Sequence, residues 1–144
     1  FANTGDGGAS PQTIFINIED SIFANNEGAG KMIIWSNVNV SPITTLLTGF
    51  TRSSSLFFRL TNDLYVTDCE NSRMQVFLAN QTHGTTINVQ DVNGTILQLS
   101  CPAVVTMDDH GYLFILDLVN NRVFGSYQYG FYFLVGCSGT GICI

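Results

Sequence analysis

The residues with the clearest chemical potential lie in two short runs. The first, Asp108, Asp109 and His110, places two carboxylates beside an imidazole and ends in Gly111. Carboxylate and imidazole groups bind metals and transfer protons. The second run, residues 136–141, places a thiol and two hydroxyls in a glycine-rich segment. Such a segment could present a nucleophile or hold a phosphate.

Neither run completes a catalytic or metal-binding pattern. Residues 136–141 match neither the nucleophile elbow nor the phosphate loop. The chain has only two histidines, His83 and His110, and it lacks cysteine and histidine at zinc-finger spacing. The loop around Asp6 lacks the further acidic residues of a calcium loop. We therefore expect no catalytic residue, no metal and no cofactor, and we expect that the protein is not an enzyme.

The composition is apolar and acidic. Of 144 residues, 45% are hydrophobic and 11% are charged, which excludes a charged disordered segment. Five Lys and Arg against eleven Asp and Glu give a net charge of −6, so no basic patch for nucleic acid can form. No apolar run reaches the roughly 20 residues that span a bilayer. These features predict one globular domain with no nucleic-acid partner and no membrane span.

The chain repeats itself three times. Two kinds of landmark recur: an apolar run that ends in Asp or Asn, and a later run that begins with Lys or Arg. The first kind lies at Ile22–Asn26, Leu64–Asp68 and Leu113–Asp117, and the second at Lys31–Trp35, Arg73–Phe77 and 122–126. Both kinds are spaced by 42 and then by 49 residues, and the seven additional residues fall in the stretch 91–100. The agreement of the two landmarks defines the repeat register.

Each repeat has the pattern of four short strands. Its apolar runs are β-branched or aromatic and are separated by turn residues, without the period of a helix. The strands are predicted at 13–17, 21–25, 31–36 and 44–47; at 56–60, 63–67, 73–78 and 85–89; and at 103–107, 112–116, 122–127 and 131–135. Four strands in about 40–45 residues is the size of a β-propeller blade. We therefore predict one propeller segment, 1–144, with blades at 10–53, 54–100 and 101–144.

The second repeat resembles a known family. Residues 64–77 are similar to the core of the NHL repeat, with its pattern of Asp, Asn and Arg. The third repeat keeps this pattern, the first has Asn26 and Lys31 instead, and residues 5–10 are similar to the loop before many NHL blades. The resemblance implies an all-β β-propeller of NHL type with three four-stranded antiparallel blades. It also implies mostly binding roles. Some NHL-type propellers are lyases of modified peptides, but their metal-binding histidines have no counterpart here.

The repeat signature consists of an Asp, an Asn and an Arg in the hairpin between the second and third strands. Its members are Asp68, Asn71 and Arg73 in the second repeat, and Asp117, Asn120 and Arg122 in the third. Asp and Asn side chains favour hydrogen bonds to turn backbone, and Arg can contact the Asp while lying across a neighbouring blade. Because the motif recurs in each blade, we predict a structural role for it. Turn formation is likewise predicted for residues 108–111.

The four cysteines predict two disulfides. In a propeller with this repeat order, Cys69 lies in a hairpin of the second blade and Cys101 lies just before the third blade, on the same face. We therefore predict a Cys69–Cys101 disulfide between adjacent blades. Cys137 and Cys143 are six residues apart in one loop, and we predict that they pair. Four buried free thiols are the alternative.

Three N-glycosylation sequons, at Asn39, Asn80 and Asn93, fall in predicted turns. Asn39 and Asn80 occupy the turn between the third and fourth strands, and Asn93 lies at the tip of the lengthened loop. N-linked glycans at such turns would leave the core undisturbed. Together with the even number of cysteines, the sequons predict a secreted, extracellular glycoprotein.

Three blades leave a propeller open, since propellers typically have four to eight. The two end faces would be apolar and exposed, which is typical of interaction surfaces. We therefore predict a protein-interaction and structural module. Its partners would be further blades or other copies of itself, assembled head to tail into a ring or an extracellular filament. The alternative is a carbohydrate- or small-ligand-binding propeller that uses exposed aromatic residues such as Tyr127, Tyr129 and Phe131.

Overall fold

The computed structural model describes residues 11–16, 22–26, 31–35, 47–79, 81–127 and 130–136. These residues form twelve β-strands, and none of them lies in an α-helix. Within this part of the chain there is accordingly no helix of the length and apolarity needed to cross a membrane. The strands are β1 (Pro11–Ile16), β2 (Ile22–Asn26), β3 (Lys31–Trp35), β4 (Leu47–Thr48), β5 (Ser53–Phe58), β6 (Leu64–Asp68), β7 (Arg73–Phe77), β8 (Thr85–Ile87), β9 (Pro102–Met107), β10 (Leu113–Asp117), β11 (Arg122–Tyr127) and β12 (Gly130–Gly136).

The twelve strands make three antiparallel sheets of four strands each. Their orders are β1-β2-β3-β4, β5-β6-β7-β8 and β9-β10-β11-β12, which we term blades 1, 2 and 3. The first strands of the blades lie close together, because β5 contacts both β1 and β9. The sheets are therefore arranged around their first strands, as in a propeller. The predicted all-β class with three four-stranded antiparallel blades is confirmed.

Equivalent positions pair in the same way in successive blades. Leu56 of β5 is the pairing partner of Val66 of β6, and Val105 of β9 is the partner of Ile115 of β10. Each residue of the second pair lies 49 positions after its counterpart in the first. The repeat spacing in the sequence is therefore also the repeat of the structure.

The apolar core lies between the blades. We term the face of a blade on the side of the preceding blade its leading face, and the opposite face its trailing face; the trailing faces of blades 1 and 2 pack on the leading faces of blades 2 and 3. The interface of blades 1 and 2 buries Phe23, Phe50, Leu56, Leu64, Val66 and Phe77. The interface of blades 2 and 3 buries Met74, Val89, Leu99, Val105, Ile115 and Phe124. Burial of one such side chain contributes about 1.5–3 kcal/mol, so the stacking of blades supplies most of the hydrophobic stabilisation.

Strand β5 begins at Ser53, earlier than the predicted start at residue 56. The three residues by which the strand is longer at this end are all serines, a residue type common in turns. In the structure the pairing register shifts between Ser53 and Leu56. At this irregularity the Ser55 N–H donates a hydrogen bond to the buried Thr67 hydroxyl at 2.9 Å. A side chain on β6 thus provides the acceptor that lets the serines extend the strand.

The lengthened loop between β8 and β9 folds against the outer strand of blade 3. Gln90 pairs with Ile96 inside the loop. The Gln90 carbonyl also accepts a hydrogen bond from the Phe131 N–H of β12 at 2.7 Å. A Cβ at Gly130 would come within 2.8 Å of the Asp91 backbone, so only glycine permits this close approach. The loop is therefore bonded to the following blade at its outer edge.

Candidate functional site

The repeat signature surrounds a buried carboxylate in blade 2. The Asp68 side chain has no exposed surface. Its Oδ2 accepts hydrogen bonds from Arg73 Nε and Asn71 Nδ2, each at 2.9 Å. Its Oδ1 accepts a hydrogen bond from the Thr51 N–H at 3.0 Å. These hydrogen bonds compensate for the hydration that the Asp68 carboxylate loses on burial. An ionised carboxylate buried without such partners would strongly destabilise the fold.

Blade 3 repeats the same geometry around Asp117. Oδ2 of this buried carboxylate accepts hydrogen bonds from Arg122 Nε at 2.8 Å and from Asn120 Nδ2 at 2.9 Å. Oδ1 accepts one from the Ser100 N–H at 2.7 Å. The Arg122 guanidinium also lies over the Phe124 ring, 4.6 Å from its centroid. Both carboxylates are thus fully engaged by groups of their own chain.

In both blades the arginine also binds the main chain that leads into the blade. Arg73 Nη2 donates to the Gly49 carbonyl at 2.8 Å, and Arg122 Nη2 donates to the Gln98 carbonyl. Each acceptor lies 24 residues before its arginine, in the segment that joins the preceding blade to the first strand. Each arginine therefore contacts the Asp of its own hairpin, as predicted, and also the connecting segment at the end of the preceding predicted blade. We term this arrangement the hairpin clamp.

The structure contains the Cys69–Cys101 disulfide, with the two Sγ atoms 2.01 Å apart. It joins the β6–β7 hairpin of blade 2 to the residue just before β9 of blade 3. Cys69 is buried under this connection, whereas its counterpart in blade 3, Leu118, is 51% exposed. The bond therefore links adjacent blades at the hairpin. Cys137 and Cys143 lie outside the described residues.

Asp108, Asp109, His110 and Gly111 form the turn between β9 and β10. Asp108 Oδ1 accepts hydrogen bonds from the N–H groups of His110 at 3.0 Å and Tyr112 at 2.9 Å. Gly111 has a φ of +86°, which favours glycine. The His110 side chain is 80% exposed, with Nδ1 3.8 Å from Asp108 Oδ2. These contacts are those of a turn, as predicted.

The second histidine lies in another blade. His83 follows β7, and its Nδ1 is 3.2 Å from the Thr82 hydroxyl. Across the described residues no three His, Cys, Asp or Glu side chains come together as a metal site would require. His83 and His110 therefore lie in separate blades, and neither belongs to such a group within the described part of the chain.

The sequon at Asn93 lies in an exposed turn of the lengthened loop. Asp91 Oδ1 accepts hydrogen bonds from the N–H groups of Thr95 at 2.9 Å and Asn93 at 2.8 Å. The backbone N–H of Thr95 and then that of Asn93 hold the pKa of the Asp91 carboxyl below its usual value. The Asn93 amide is thereby left open to solvent. Asn39 and Asn80 lie outside the described residues.

The aromatic residues of the alternative ligand site are distributed differently from the prediction. Phe131 packs into the interface of blades 2 and 3, and Tyr129 lies outside the described residues. Tyr127 is exposed and stacks on Tyr112 at 5.0 Å, and it meets Tyr132 edge-on at 6.1 Å. We term Tyr112, Tyr127 and Tyr132 the tyrosine row. Two of its members were missed because they are neighbours only through strand pairing, which a search along one segment does not consider.

Residues 61–77 match the NHL repeat family. The match contains β6, the signature of blade 2 and β7. The chain carries an NHL-type repeat. Blade 3 has the same clamp at equivalent positions, and the resemblance identified from the sequence is confirmed. No curated protein matches the chain.

Solved structures share this propeller fold at low sequence identity. Virginiamycin B lyase from Staphylococcus aureus has a TM-score of 0.64 at 11% identity, over 90% of this chain and 42% of its own. Hydrazine synthase from Kuenenia stuttgartiensis has a TM-score of 0.70 at 11% identity, over 97% of this chain and 39% of its own. A protein assigned as a 6-phosphogluconolactonase from Bacteroides uniformis has a TM-score of 0.64 at 15% identity, over 94% and 45%. The chain therefore spans less than half the length of these proteins.

These neighbours correct the prediction that the protein is not an enzyme. Several of them are named as enzymes, including the lyase and the lactonase, so the prediction is wrong as an inference from this fold. The prediction rested on the lack of a contiguous catalytic motif in the sequence. A propeller brings loops from several blades to one face, and a catalytic site there requires no motif within a single repeat. What the NHL-type fold itself supports is a protein-interaction module.

The hairpin clamp predicts a large loss of stability on removal of its carboxylate. Asp117→Ala should lower the free energy of unfolding by about 3–5 kcal/mol, because it leaves the partly buried Arg122 guanidinium without its partner. Urea denaturation followed by circular dichroism measures this change. Asp109→Ala, at an exposed turn position, serves as the control and should shift stability by less than about 0.5 kcal/mol. Wild-type stability of Asp117→Ala would contradict a structural role of the signature.

The disulfide predicts the reactivity of two cysteines. In the folded, unreduced protein, Cys69 and Cys101 should resist alkylation, because both thiols are consumed in the bond. Peptide mass mapping should find both residues alkylated only after reduction. Alkylation of Cys69 in the native protein before reduction would exclude the bond.

Proposed function

We propose that this chain is an extracellular module for protein interaction and structural assembly, which associates with other copies of itself through its two uncovered blade faces. The observation that carries the proposal is an exposed leading face on blade 1. Ile14 is 67% exposed, whereas its counterparts Leu56 and Val105, in the leading faces of blades 2 and 3, are 6% and 2% exposed. Ile16, further along β1, is 58% exposed.

The trailing face of blade 3 is uncovered as well. Leu116 and Val123 are only partly buried, whereas their counterparts in blade 2, Thr67 and Met74, have no exposed surface. Leu134 of β12 lies on the same face, beside Gly125, and is 47% exposed. An apolar surface of this kind on a folded domain is typical of an interaction site.

The two uncovered faces are the two halves of one interface. Within the chain, a trailing face packs on a leading face twice, between blades 1 and 2 and between blades 2 and 3. A second copy offers its leading face to the trailing face of the first, and the contact repeats the packing already present. Such a contact is heterologous, so it either closes into a ring or continues as a filament.

Two features support an extracellular location. The Cys69–Cys101 disulfide is compatible with an oxidising compartment. The exposed Asn93 turn offers an acceptor for an N-linked glycan at a place that contributes nothing to the blade interfaces. We therefore include N-linked glycans, at Asn93 and at the sequons of Asn39 and Asn80, in the proposal.

Assembly is tested by placing a charge on one face at a time. Ile14→Lys should prevent packing on the leading face of blade 1, and Leu134→Lys should prevent packing on the trailing face of blade 3. Each variant alone should therefore be monomeric by light scattering. An equimolar mixture should form dimers, because each variant retains the face that the other needs. Leu60→Lys, at an 81% exposed turn position, is the matched control and should assemble like the wild type.

The wild-type chain should scatter as a multiple of its 15.7 kDa mass at micromolar concentration. Electron microscopy then separates a closed ring from a filament. A monodisperse 15.7 kDa wild type, or a mixture of the two variants that stays monomeric, would refute self-association and would leave further blades of a longer chain to cover the faces.

Glycosylation is tested on protein secreted from a eukaryotic cell. Enzymatic removal of N-linked glycans should lower the mass, and Asn93→Gln should remove one glycan without changing the assembly. Asn88→Gln, at an exposed asparagine outside any sequon, is the control. Failure of the protein to enter the medium, or an unchanged mass after deglycosylation, would argue against this part of the proposal.

A further inference from the structure

The tyrosine row belongs to blade 3 alone. By the repeat spacing and strand pairing, Tyr112, Tyr127 and Tyr132 correspond to Asp63, Leu78 and Thr85 in blade 2. In blade 1 the spacing aligns Tyr112 and Tyr127 with serines in the sequence. Residues with a structural role in the repeat, such as those of the hairpin clamp, recur in both blade 2 and blade 3. Aromatic rings that do not recur are therefore not required by the blade architecture.

The row also lies outside the area that a neighbouring blade covers. Blade 3 packs on the trailing face of blade 2, yet Leu78 remains 49% exposed and Thr85 is exposed. A blade packed in the same way on blade 3 would accordingly leave Tyr127 and Tyr132 open. This makes the row a surface separate from the proposed assembly interface.

The rings are arranged as a corner. Tyr127 and Tyr132 are 52% and 41% exposed, and their planes are inclined by 68° with centroids 6.1 Å apart. Tyr112 stacks on Tyr127, with the ring planes inclined by 26° and the centroids 5.0 Å apart. The row continues through the exposed His110 ring, which stacks on Tyr112 at 6.2 Å. The face of an exposed tyrosine ring attracts a cation through the ring quadrupole.

Carboxylates lie at the His110 end of the row. Asp108 Oδ2 is 3.8 Å from His110 Nδ1, and Asp109 beside it is exposed. A cation of the chain, Arg59, approaches this turn, with Nη2 3.4 Å from the position of a Cβ on Gly111. Arg59 belongs to blade 2 and is hydrogen-bonded to Tyr65 on the trailing face of that blade, so it reaches the turn from the side opposite to the row. The carboxylates and the net charge of −6 favour a positively charged ligand.

We propose that the tyrosine row, with Asp108 and Asp109, binds a cationic peptide segment. Arginine or lysine side chains would lie against the Tyr127 and Tyr132 rings, while neighbouring cations would pair with the two carboxylates. Charge complementarity favours a cationic peptide over a neutral sugar. A sugar would contact the rings but would gain nothing from the carboxylates at the His110 end of the row. The site requires no second copy, so it is independent of the assembly proposed above.

Binding is measured with fluorescent hexa-arginine and hexa-glutamine peptides by anisotropy, on the purified wild-type protein. Hexa-arginine should bind more tightly than hexa-glutamine, and its affinity should fall as salt is added. Tyr127→Leu, which keeps apolar volume but removes the ring, should weaken binding about two- to five-fold. Tyr127→Phe should restore it. Leu78→Ala, at the equivalent exposed position of blade 2, should bind like the wild type.

Other results would overturn the site. Equal affinity of the two peptides, or full affinity of both Tyr127→Leu and Tyr132→Leu, would show that the rings do not bind cations. Binding of a neutral oligosaccharide such as cellohexaose, lost in Tyr127→Leu while hexa-arginine binding is retained, would instead assign the row to carbohydrate. Thermal unfolding of each variant verifies folding, and Tyr132→Leu, on the outermost strand, replaces Tyr127→Leu if the latter does not fold.

Discussion

The fold of blades 2 and 3 depends on a buried carboxylate in each. This carboxylate accepts hydrogen bonds from its own hairpin and from the segment that leads into the blade. In the hairpin clamp, Asp68 and Asp117 each join three structures: the hairpin that contains them, the arginine five residues later and the segment that leads into the blade. Loss of any one of these three would leave the buried carboxylate with an incomplete set of hydrogen-bond donors. The clamp therefore sets where blades 2 and 3 begin, because the chain enters each of them where its N–H and carbonyl groups meet the Asp and Arg side chains.

In blades 2 and 3, strand pairing is consistent with the position at which the clamp holds the chain. With the first strand placed, pairing aligns Leu56 with Val66 and Val105 with Ile115, and these side chains point into the interface with the preceding blade. The disulfide lies at the same end of the blade as the clamp, next to the buried Asp68. A single sheet of four strands buries little by itself, so the position of the clamp determines which apolar faces meet.

Most of the fold could be predicted from the sequence because the repeat supplies its own internal comparison. The spacing of Leu64–Asp68 and Leu113–Asp117 predicted the register, and the turn at Asp108 followed from the residue types that turns favour. The start of β5 could not be predicted, since the serines extend the strand through pairing with β6 and a hydrogen bond to the Thr67 hydroxyl on that strand. The tyrosine row was not predicted for a related reason, because its members come from β11, β12 and the turn before β10. The prediction about enzymatic activity went wrong because a motif search along the chain does not detect sites built from separate blades.

The lengthened loop between β8 and β9 has a further consequence for how the molecule opens. A regular repeat array behaves as a line of units coupled only through nearest-neighbour faces, and its end units can unfold separately. Here the Gln90 carbonyl is bonded to the Phe131 N–H on the outer strand of blade 3, while the disulfide joins blades 2 and 3 at another point. Opening either blade therefore breaks contacts with the other, and we expect the two blades to open together rather than separately. The loop that departs from the regular repeat spacing thus contains Gln90, a residue that couples blade 2 to blade 3.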